Sequence, residues 1–320
     1  DEMLVIQKFG GSSLADAQRL RRAAGIAAER ARGEAQVVVV VSARGGTTDE
    51  LIKTALEIDP MPCTRELDAL LGTGELASAA LMAMQLGALG LDSVSLSGRQ
   101  AGIRTDTRHG GAAILGIDTR RIVSELNAGK VVIVAGFQGV NENDDLTTLG
   151  RGGSDTTAVE LAAALGADEC EIYSDVDGVY TADPRLVTGA RKLDEIDYAD
   201  MLRLSLGGSQ VLHSRSVEAA MRHGVEVTLL SSFVKREGTV LAHFAHRPDV
   251  CGVTRDKVKN TVSIVGKGAN ADMLAEAAAM LAHSDILVSD AQCTTGVCTL
   301  TVAPEHLLPA LEMLHRHFLR

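Results

Sequence analysis

The sequence is poor in aromatic residues, so the core must be built almost without them. Phe, Tyr and Trp together make up 2% of the 320 residues and Trp is absent, which leaves Val, Leu, Ile and Ala to fill the interior. The five cysteines are odd in number and show no CxxC spacing. That pattern argues against a disulfide framework and a zinc site, and it fits a protein of the reducing cytoplasm.

Long apolar runs and a basic leading segment are also missing. No apolar run reaches the roughly 20 residues that a helix needs to span a bilayer. The first residues lead directly into the apolar run Leu4-Val5-Ile6, without the basic region of a targeting segment. We therefore expect a soluble, untargeted protein.

Positive charge is outnumbered by negative charge. Lys and Arg number 31 against 42 Asp and Glu, a net charge of −11, which opposes the phosphate backbone of nucleic acids and anionic membrane surfaces. We expect small-molecule chemistry, with no nucleic-acid or membrane partner. A chain of this length is long for a single core, so about two domains are expected.

Short β-branched runs alternate with longer Ala- and Leu-rich segments of helical spacing. Strands are predicted at 3–8, 36–42, 92–97, 130–135, 169–174 and 225–231. Helices are predicted at 14–32, 65–87, 119–128, 154–166, 197–205 and 214–223. This alternation predicts an α/β fold with a mainly parallel sheet sandwiched by helices.

The pattern is interrupted between 234 and 250 by charged residues, Gly and Pro, which predicts a domain boundary. The predicted domains are residues 1–240 and 250–320. In the second domain, strands are predicted at 251–255, 260–265, 285–291 and 297–303, and helices at 272–282 and 305–318. This is the βαββα order of a small α+β ligand-sensing module, with an extra leading strand.

The first candidate site is the segment Lys8-Phe9-Gly10-Gly11-Ser12-Ser13, where a strand ends and a helix is predicted to begin. Two residues without Cβ let backbone N–H groups approach a phosphate, and a helix N-terminus and Lys8 add positive charge. The lysine precedes the glycines, so this is not a Walker A loop, and no GxGxxG fingerprint follows a strand. The alternative is a tight turn with a solvent-exposed lysine.

The second candidate is a Gly-rich segment around Arg151 that leads into the helix predicted from 154. It contains the run Gly150-Arg151-Gly152-Gly153-Ser154-Asp155. Arg151 is suited to grip a carboxylate with two parallel hydrogen bonds, and Asp155 to accept an ammonium group. In the alternative interpretation Ser154 or Asp155 is an ordinary helix N-cap.

Two further segments are candidates. The run from Tyr173 to Arg185 follows an apolar strand at its carboxyl end, where α/β sheets bind ligands, but its Asp-Gly and Asp-Pro pairs also mark plain turns. Glu75 follows Gly72-Thr73-Gly74, and the helix dipole favours a glutamate in a first turn without any function.

These motifs, in this order, resemble the aspartokinases of the amino-acid kinase fold. The resemblance runs from Val5 to about Thr239. It includes Lys8 to Ser13, Val41-Ser42-Ala43, Thr47-Thr48-Asp49-Glu50-Leu51, Gly98 to His109 and Phe137-Gln138-Gly139-Val140. It also includes the Gly-rich segment around Arg151 and the run from Tyr173 to Arg185.

The resemblance implies transfer of the γ-phosphoryl group of ATP, with Mg²⁺, to the β-carboxylate of L-aspartate, yielding 4-phospho-L-aspartate. It implies that Lys8 and Asp155 are catalytic. The implied substrate-binding residues are Thr48, Glu75, Arg151, Gly152, Gly153, Ser154 and Asp155. The implied ATP-binding residues are Lys8, Phe9, Gly10, Gly11, Ser12, Ser174, Asp175, Tyr180, Arg185 and Gln210.

The chemistry of the implied reaction needs no general base. A carboxylate with a pKa near ~3.9 is already ionised at neutral pH, so catalysis should depend on positioning two anions and neutralising their charge. Gln210 and Ser214 stand where many relatives carry Lys and Pro, which bears on ATP affinity. Arg44, Gly46 and Arg99 also depart from the family pattern, with consequences for substrate choice or only for surface charge.

The C-terminal region departs furthest from the family. Aspartokinases usually carry two ACT modules that bind lysine or threonine as feedback inhibitors, and here one ACT-like module is found. We expect weakened or absent feedback by lysine and threonine. We also expect a homodimer, and the module is open to three alternatives: pairing across the dimer, binding a different effector, or loss of regulation. The alternatives are a kinase of another acidic amino acid and a catalytically inactive amino-acid sensor.

Overall fold

The computed structural model describes residues 2–319 and divides into two compact units. The first unit contains the chain up to Asp177 together with Val225–Glu237, and the second contains Gly178–Gly224 and the chain from Gly238 onward.

Strands and helices are numbered along the chain. The strands are β1 Leu4–Phe9, β2 Gln36–Val41, β3 Ser93–Leu96, β4 Ile103–Thr105, β5 Ile114–Ile117, β6 Val131–Ala135, β7 Gln138–Val140, β8 Leu146–Thr148, β9 Glu169–Ser174, β10 Glu195–Asp197, β11 Val227–Ser231, β12 Thr239–Ala242, β13 Gly252–Asp256, β14 Thr261–Val265, β15 Val288–Thr294 and β16 Val297–Val302. The α-helices are α1 Ala17–Arg32, α2 Thr47–Ile58, α3 Thr64–Ala88, α4 Arg120–Asn127, α5 Gly153–Leu165, α6 Tyr198–Leu206, α7 Ser214–His223, α8 Ala271–Ala282 and α9 Leu307–Phe318. Short 3-10 helices occupy Gly11–Leu14 and Pro304–His306.

The first unit is built on a parallel sheet with the strand order β11-β9-β1-β2-β6-β3. β1 lies between β2 and β9, with Lys8 opposite Val40 and Ile172. Strands such as β2, with the sequence Gln-Val-Val-Val-Val-Val, are buried nearly throughout, as expected for a sheet covered on both faces. The predicted α/β class with a mainly parallel sheet is confirmed.

Small side chains bring helices close to this sheet. Ala23, Ala24, Ala27 and Ala28 of α1 pack with alternate valines of β2 and with Met82 and Leu86 of α3 in one apolar cluster. α5 contacts β1, β2 and β9. All these strands are parallel, so their carboxyl ends share one edge, where the loops after β1, β2, β6 and β9 meet.

A second, small sheet in this unit was not predicted. Its strand order is β5-β4-β7-β8, with antiparallel pairs at both ends and a parallel contact between Arg104 and Val140 at its centre. Its strands are three or four residues long, too short for an alternating pattern to stand out. β8 leads directly toward Arg151 and α5.

Helix α3 corrects the expectation that no segment of the chain has the length and composition of a membrane-spanning helix. At 25 residues it is long and apolar enough to cross a membrane by length and composition alone, although 44% of its most apolar window is buried. It carries the buried carboxyl groups of Asp68 and Glu75, and it packs against β3, β6, β8 and α1. A buried core helix passes the same test of composition.

In the second unit, an antiparallel sheet has the strand order β13-β14-β16-β15, and α8 and α9 pack against it. The observed order of strands and helices is the predicted βαββα with a leading strand. The identification of this sheet as an ACT module stays a prediction.

The units divide the chain differently from the predicted domains 1–240 and 250–320. Ala182 and Val187 share the apolar core of the C-terminal sheet. The hydroxyl of Thr181 lies 2.8 Å from Nε2 of His315. The carbonyl of Thr181 accepts a hydrogen bond from the N–H of Val253 at 2.8 Å. Residues 178–224 therefore cluster with the C-terminal segment, and the division into a catalytic domain at 1–240 and an ACT-like domain at 250–320 stays a prediction.

Candidate active site

The loop after β1 lies against the loop after β2 at the carboxyl edge of the sheet. A Cβ on Gly11 would lie 2.6 Å from the carbonyl oxygen of Ala43, and the carbonyl of Gly11 accepts the N–H of Gly45 at 2.9 Å. Gly10 donates its N–H to the carbonyl of Tyr173 at 3.1 Å. The absence of a Cβ at Gly11 is therefore needed for the close approach of two backbones.

The chain after this loop differs in one respect from the prediction. Gly11–Leu14, which includes Ser12, forms a 3-10 helix, and α1 begins only at Ala17. Asp16 caps α1 by accepting the N–H of Arg19 at 2.8 Å. The helix N-terminus expected beside the Gly10-Gly11 loop is thus displaced from it and carries its own side-chain cap.

Lys8 is buried, not solvent-exposed as in the alternative interpretation. It is 7% exposed, and its ammonium group pairs with Oδ1 of Asp155 in the first turn of α5. A Cβ on Gly10 would lie 3.5 Å from Nζ of Lys8. Lys8, the glycine loop and the start of α5 therefore meet at one point.

The start of α5 is shaped by glycines with left-handed backbone angles. Gly150 has φ +77° and Gly152, the N-cap, has φ +69°, a conformation in which a side chain is strained. No side chain caps the helix, so the predicted N-cap role of Ser154 or Asp155 is wrong. An uncapped N-terminus presents N–H groups that suit an anion.

Arg151 lies between these two glycines and is exposed, with no ion pair to another residue that the structure describes. Gly153 packs tightly, since a Cβ there would lie 2.9 Å from Cδ2 of Phe137. The chain at Arg151 is thus held by a closely packed helix start, while the guanidinium group remains at the surface.

Glu75 is a buried carboxylate that faces the segment after β2. The N–H of Ala43 donates to its Oε1 at 3.0 Å, and its Oε2 is buried without a hydrogen-bond partner. Burial raises the pKa of Glu75 to about 7. Thr48 lies half-buried in the first turn of α2, next to Thr47, whose Cγ2 is 3.6 Å from the Cβ position of Gly74.

The predicted nucleotide residues of the first unit lie at the end of β9. The hydroxyl of Ser174 lies 3.3 Å from the N–H of Val176 and forms a local turn, and Asp175 is exposed. The carbonyl of Ser174 accepts the N–H of Ser232 at 3.0 Å, and Oγ of Ser232 is 2.7 Å from Oγ of Ser13. The loops after β1, β9 and β11 are therefore joined.

The remaining predicted nucleotide residues belong to the second unit. Tyr180 forms an isolated bridge with Lys192. Arg185 donates from Nε and Nη2 to the carboxylate of Asp183, both at 2.9 Å, and Gln210 is exposed. Arg185 thus has a local anionic partner, which was not predicted from the sequence.

Two of the arginines that depart from the family pattern have structural partners. Arg44 donates to the carbonyl groups of Leu14 and Ala15 at 3.0 and 3.2 Å, which ties the loop after β2 to the 3-10 helix. Arg99 pairs with Asp144 at 2.6 Å on the surface. Arg44 therefore stabilises the loop after β2, whereas Arg99 forms an ion pair at the surface.

Neither the backbone N–H of Ala43 nor the hydroxyl of Ser232 was predicted from the sequence to lie at this site. Backbone donors leave no mark in a side-chain pattern. The position of Ser232 directly after an apolar strand was the one available signal.

A metal site of protein ligands is not found within residues 2–319. No group of three or more His, Cys, Asp or Glu side chains there is arranged to hold a metal ion. Mg²⁺ in phosphotransfer sites usually keeps several waters and substrate phosphates as ligands, with one or two carboxylates. Asp155 is a carboxylate beside the Gly10-Gly11 loop through its contact with Lys8, which already occupies its Oδ1.

Comparison with known proteins gives a consistent result. The model of the amino acid kinase family matches residues 3–231. An aspartokinase of Mycobacterium tuberculosis is 50% identical over 270 residues, which cover 82% of this chain and 64% of that protein. An aspartokinase of Geobacillus stearothermophilus is 44% identical over 319 residues, which cover 97% of this chain and 78% of that protein.

A solved structure extends the similarity to the fold. Escherichia coli aspartokinase III, in complex with aspartate and ADP, superposes with a TM-score of 0.69 at 27% identity, over 97% of this chain and 84% of that one. The chain spans slightly less than two thirds of the length of the mycobacterial relatives. It belongs to the amino acid kinase family, and within that family to the aspartokinases.

Proposed function

We propose that this chain is an ATP-dependent kinase that phosphorylates the β-carboxylate of L-aspartate to give 4-phospho-L-aspartate. The observation that carries the proposal is the buried pair Lys8–Asp155 beside the Gly10-Gly11 loop, which combines a cation with a close-approach backbone. The relatives are aspartokinases, and the structure of one of them holds aspartate and ADP.

The α-carboxylate of aspartate is assigned to Arg151 and to the uncapped N-terminus of α5. An exposed guanidinium group and free N–H groups favour a carboxylate together. In this assignment the substrate lies beside Lys8, and the pairing of that lysine with Asp155 in the first turn of α5 supports it.

The α-ammonium group of aspartate is assigned to Asp155 and Glu75. Asp155 directs Oδ1 to Lys8, which leaves Oδ2 for the substrate. Glu75 adds a buried Oε2 that has no partner. An ammonium group at this oxygen would relieve the cost of burying it unpaired.

ATP is assigned to the Gly10-Gly11 loop and Lys8, with Ser12, Ser174 and Asp175 from the same unit, while the nucleotide-binding role of Tyr180, Arg185 and Gln210 stays a prediction from the sequence. In the reaction, an ionised carboxylate oxygen of aspartate attacks the γ-phosphorus, and the bond to the leaving oxygen of ADP breaks. Lys8 and the backbone N–H groups neutralise charge on the phosphoryl oxygens. When bound with ATP, Mg²⁺ supplies further charge neutralisation.

An ATP-dependent hydroxamate assay tests the proposal with aspartate, glutamate and N-acetylglutamate as acceptors. We expect turnover with aspartate and its loss in Lys8→Ala. Lys53→Ala removes an exposed lysine of α2 and serves as the control. Equal turnover by Lys8→Ala would refute the assigned site, turnover with another acceptor would change the substrate, and no turnover with any of them would favour an amino-acid sensor.

Assembly and location are also proposed. We propose that this chain forms a homodimer in the cytoplasm. A monomer in analytical ultracentrifugation would contradict the proposed homodimer.

A further inference from the structure

The carboxylate of Asp68 is buried and has no part in the reaction as proposed. Asp68 lies on α3 and is 1% exposed. It accepts hydrogen bonds from the N–H and the hydroxyl of Thr148 at 2.9 and 2.6 Å, and from the N–H of Gly110 at 3.0 Å. Nδ1 of His109 lies 3.0 Å from the same carboxylate.

Every polar group of Thr148 has a hydrogen-bond partner. Its N–H and hydroxyl bind Asp68, and its carbonyl accepts the N–H of Ala112 at 2.8 Å. Thr148 is the last residue of β8, a strand of three residues. Arg151 follows three positions later, so Asp68 fixes the point from which the Gly150–Gly153 segment departs.

Asp68 and Glu75 lie on the same face of α3. They are seven residues apart, which is close to two turns or about 10.5 Å along the helix. One carboxylate binds the end of β8, and the other faces Ala43. α3 therefore connects the assigned ammonium site at Glu75 with the segment that carries Arg151.

We propose that Asp68 is a positioning residue that holds Arg151 and the start of α5 in register with Glu75, and so sets the affinity for the zwitterionic amino-acid substrate. This inference rests on the proposed function. The carboxylate is suited to the task because it only accepts hydrogen bonds, and Thr148 and Gly110 present only donors to it.

The substitution Asp68→Asn tests the role with almost no change in volume. The amide group places a donor where Thr148 and Gly110 also donate, which should displace the end of β8. We expect KM for aspartate to rise about tenfold or more, with KM for ATP and kcat changed by less than about threefold. Thr148→Val should raise KM less, and its effect should not add to that of Asp68→Asn.

A matched control exists on the neighbouring residue of the same strand. Oγ1 of Thr147 lies 2.6 Å from Oγ1 of Thr105, and both residues are buried. The double variant Thr105→Val/Thr147→Val removes this buried pair and should leave KM for aspartate unchanged. A rise in KM equal to that of Asp68→Asn would show general destabilisation and overturn the inference.

Hydrogen exchange separates this inference from the proposed function. In Asp68→Asn, and in Thr148→Val if the first variant does not fold, we expect faster exchange of the amides from Leu149 to Gly153 than in the Thr105/Thr147 control. Unchanged exchange there overturns the inference, whatever the activity. If the wild-type protein turns over no aspartate and Asp68→Asn still shows faster exchange, the proposed function is refuted. Asp68 then remains the residue that holds this segment.

Discussion

Lys8 at the end of β1 and Asp155 in the first turn of α5 form a largely buried ion pair. The two residues are far apart in the sequence, and each belongs to a different Gly-rich segment. Their contact brings the proposed phosphate loop and the proposed aspartate clamp to one point, and it gives Asp155 a partner in the absence of substrate.

Breaking this pair should cost both stability and activity. Asp155→Asn leaves the buried ammonium group of Lys8 without its counterion, and we expect the free energy of unfolding to fall by about 3 kcal/mol. Lys8→Met/Asp155→Leu removes both charges and should regain most of that stability without regaining activity. Urea unfolding measures the stability and the hydroxamate assay measures the activity. A double variant no more stable than Asp155→Asn would contradict the role of Asp155 as the counterion of Lys8.

The pKa of Glu75 predicts a dependence of stability on pH. Its folded value of about 7 lies above the ordinary 4.5, so the folded protein holds this proton more tightly than the unfolded chain does. The resulting stabilisation is complete below pH 4.5 and is lost as the pH rises through 7. Relative to wild type, Glu75→Gln should therefore gain about 3 kcal/mol between these limits, as measured by denaturation at several pH values.

Glu75 should also make aspartate binding depend on pH. An ammonium group at its free oxygen favours the ionised carboxylate, so the affinity for aspartate should rise between pH 6 and 8. Glu75→Gln should bind aspartate more weakly and lose this dependence over that range. Calorimetric titrations of both proteins provide the measurement, and parallel pH profiles would exclude Glu75 from the ammonium site.

The close approach of the loops after β1 and β2 predicts that Gly11 tolerates no side chain. In Gly11→Ala, the methyl group would meet the carbonyl oxygen of Ala43 and move the proposed phosphate loop, and we expect kcat/KM to fall about a hundredfold. Gly46→Ala is the control, because nothing lies within 4 Å of its Cβ position and its φ is −88°. Similar losses in the two variants would show that loop contact is not the cause.

Cys293 and Cys298 face each other across the β15–β16 hairpin, and their Sγ atoms are 3.2 Å apart. Oxidised glutathione should join them, since the two thiols form one disulfide while two glutathione molecules are released. Burial raises the pKa of Cys298 to about 12, so we expect the more exposed Cys293 to react first. Mass spectrometry of peptides would detect the link, and Cys293→Ser should abolish it.

Long elements with a clear pattern were predicted within three residues of their bounds. β9 was predicted at 169–174 and lies at Glu169–Ser174, and α5 was predicted at 154–166 and lies at Gly153–Leu165. α2 was missed, although Asp49 and Glu50 in its first turn are a start signal. The short strands β4, β5, β7 and β8 were missed because three or four residues are stabilised by their neighbours, not by their own pattern.

By itself the sequence determined the fold class, the family and the residue types that gather at the sheet edge, because hydrophobic period and glycine placement are local properties of the chain. It did not determine that Lys8 is buried against Asp155, that Glu75 keeps an unpaired oxygen, or that Asp68 holds the end of β8. Only the tertiary structure decided these points. Burial and the contacts between distant segments set the partner and the protonation of a charged group, and neither is encoded at a single position.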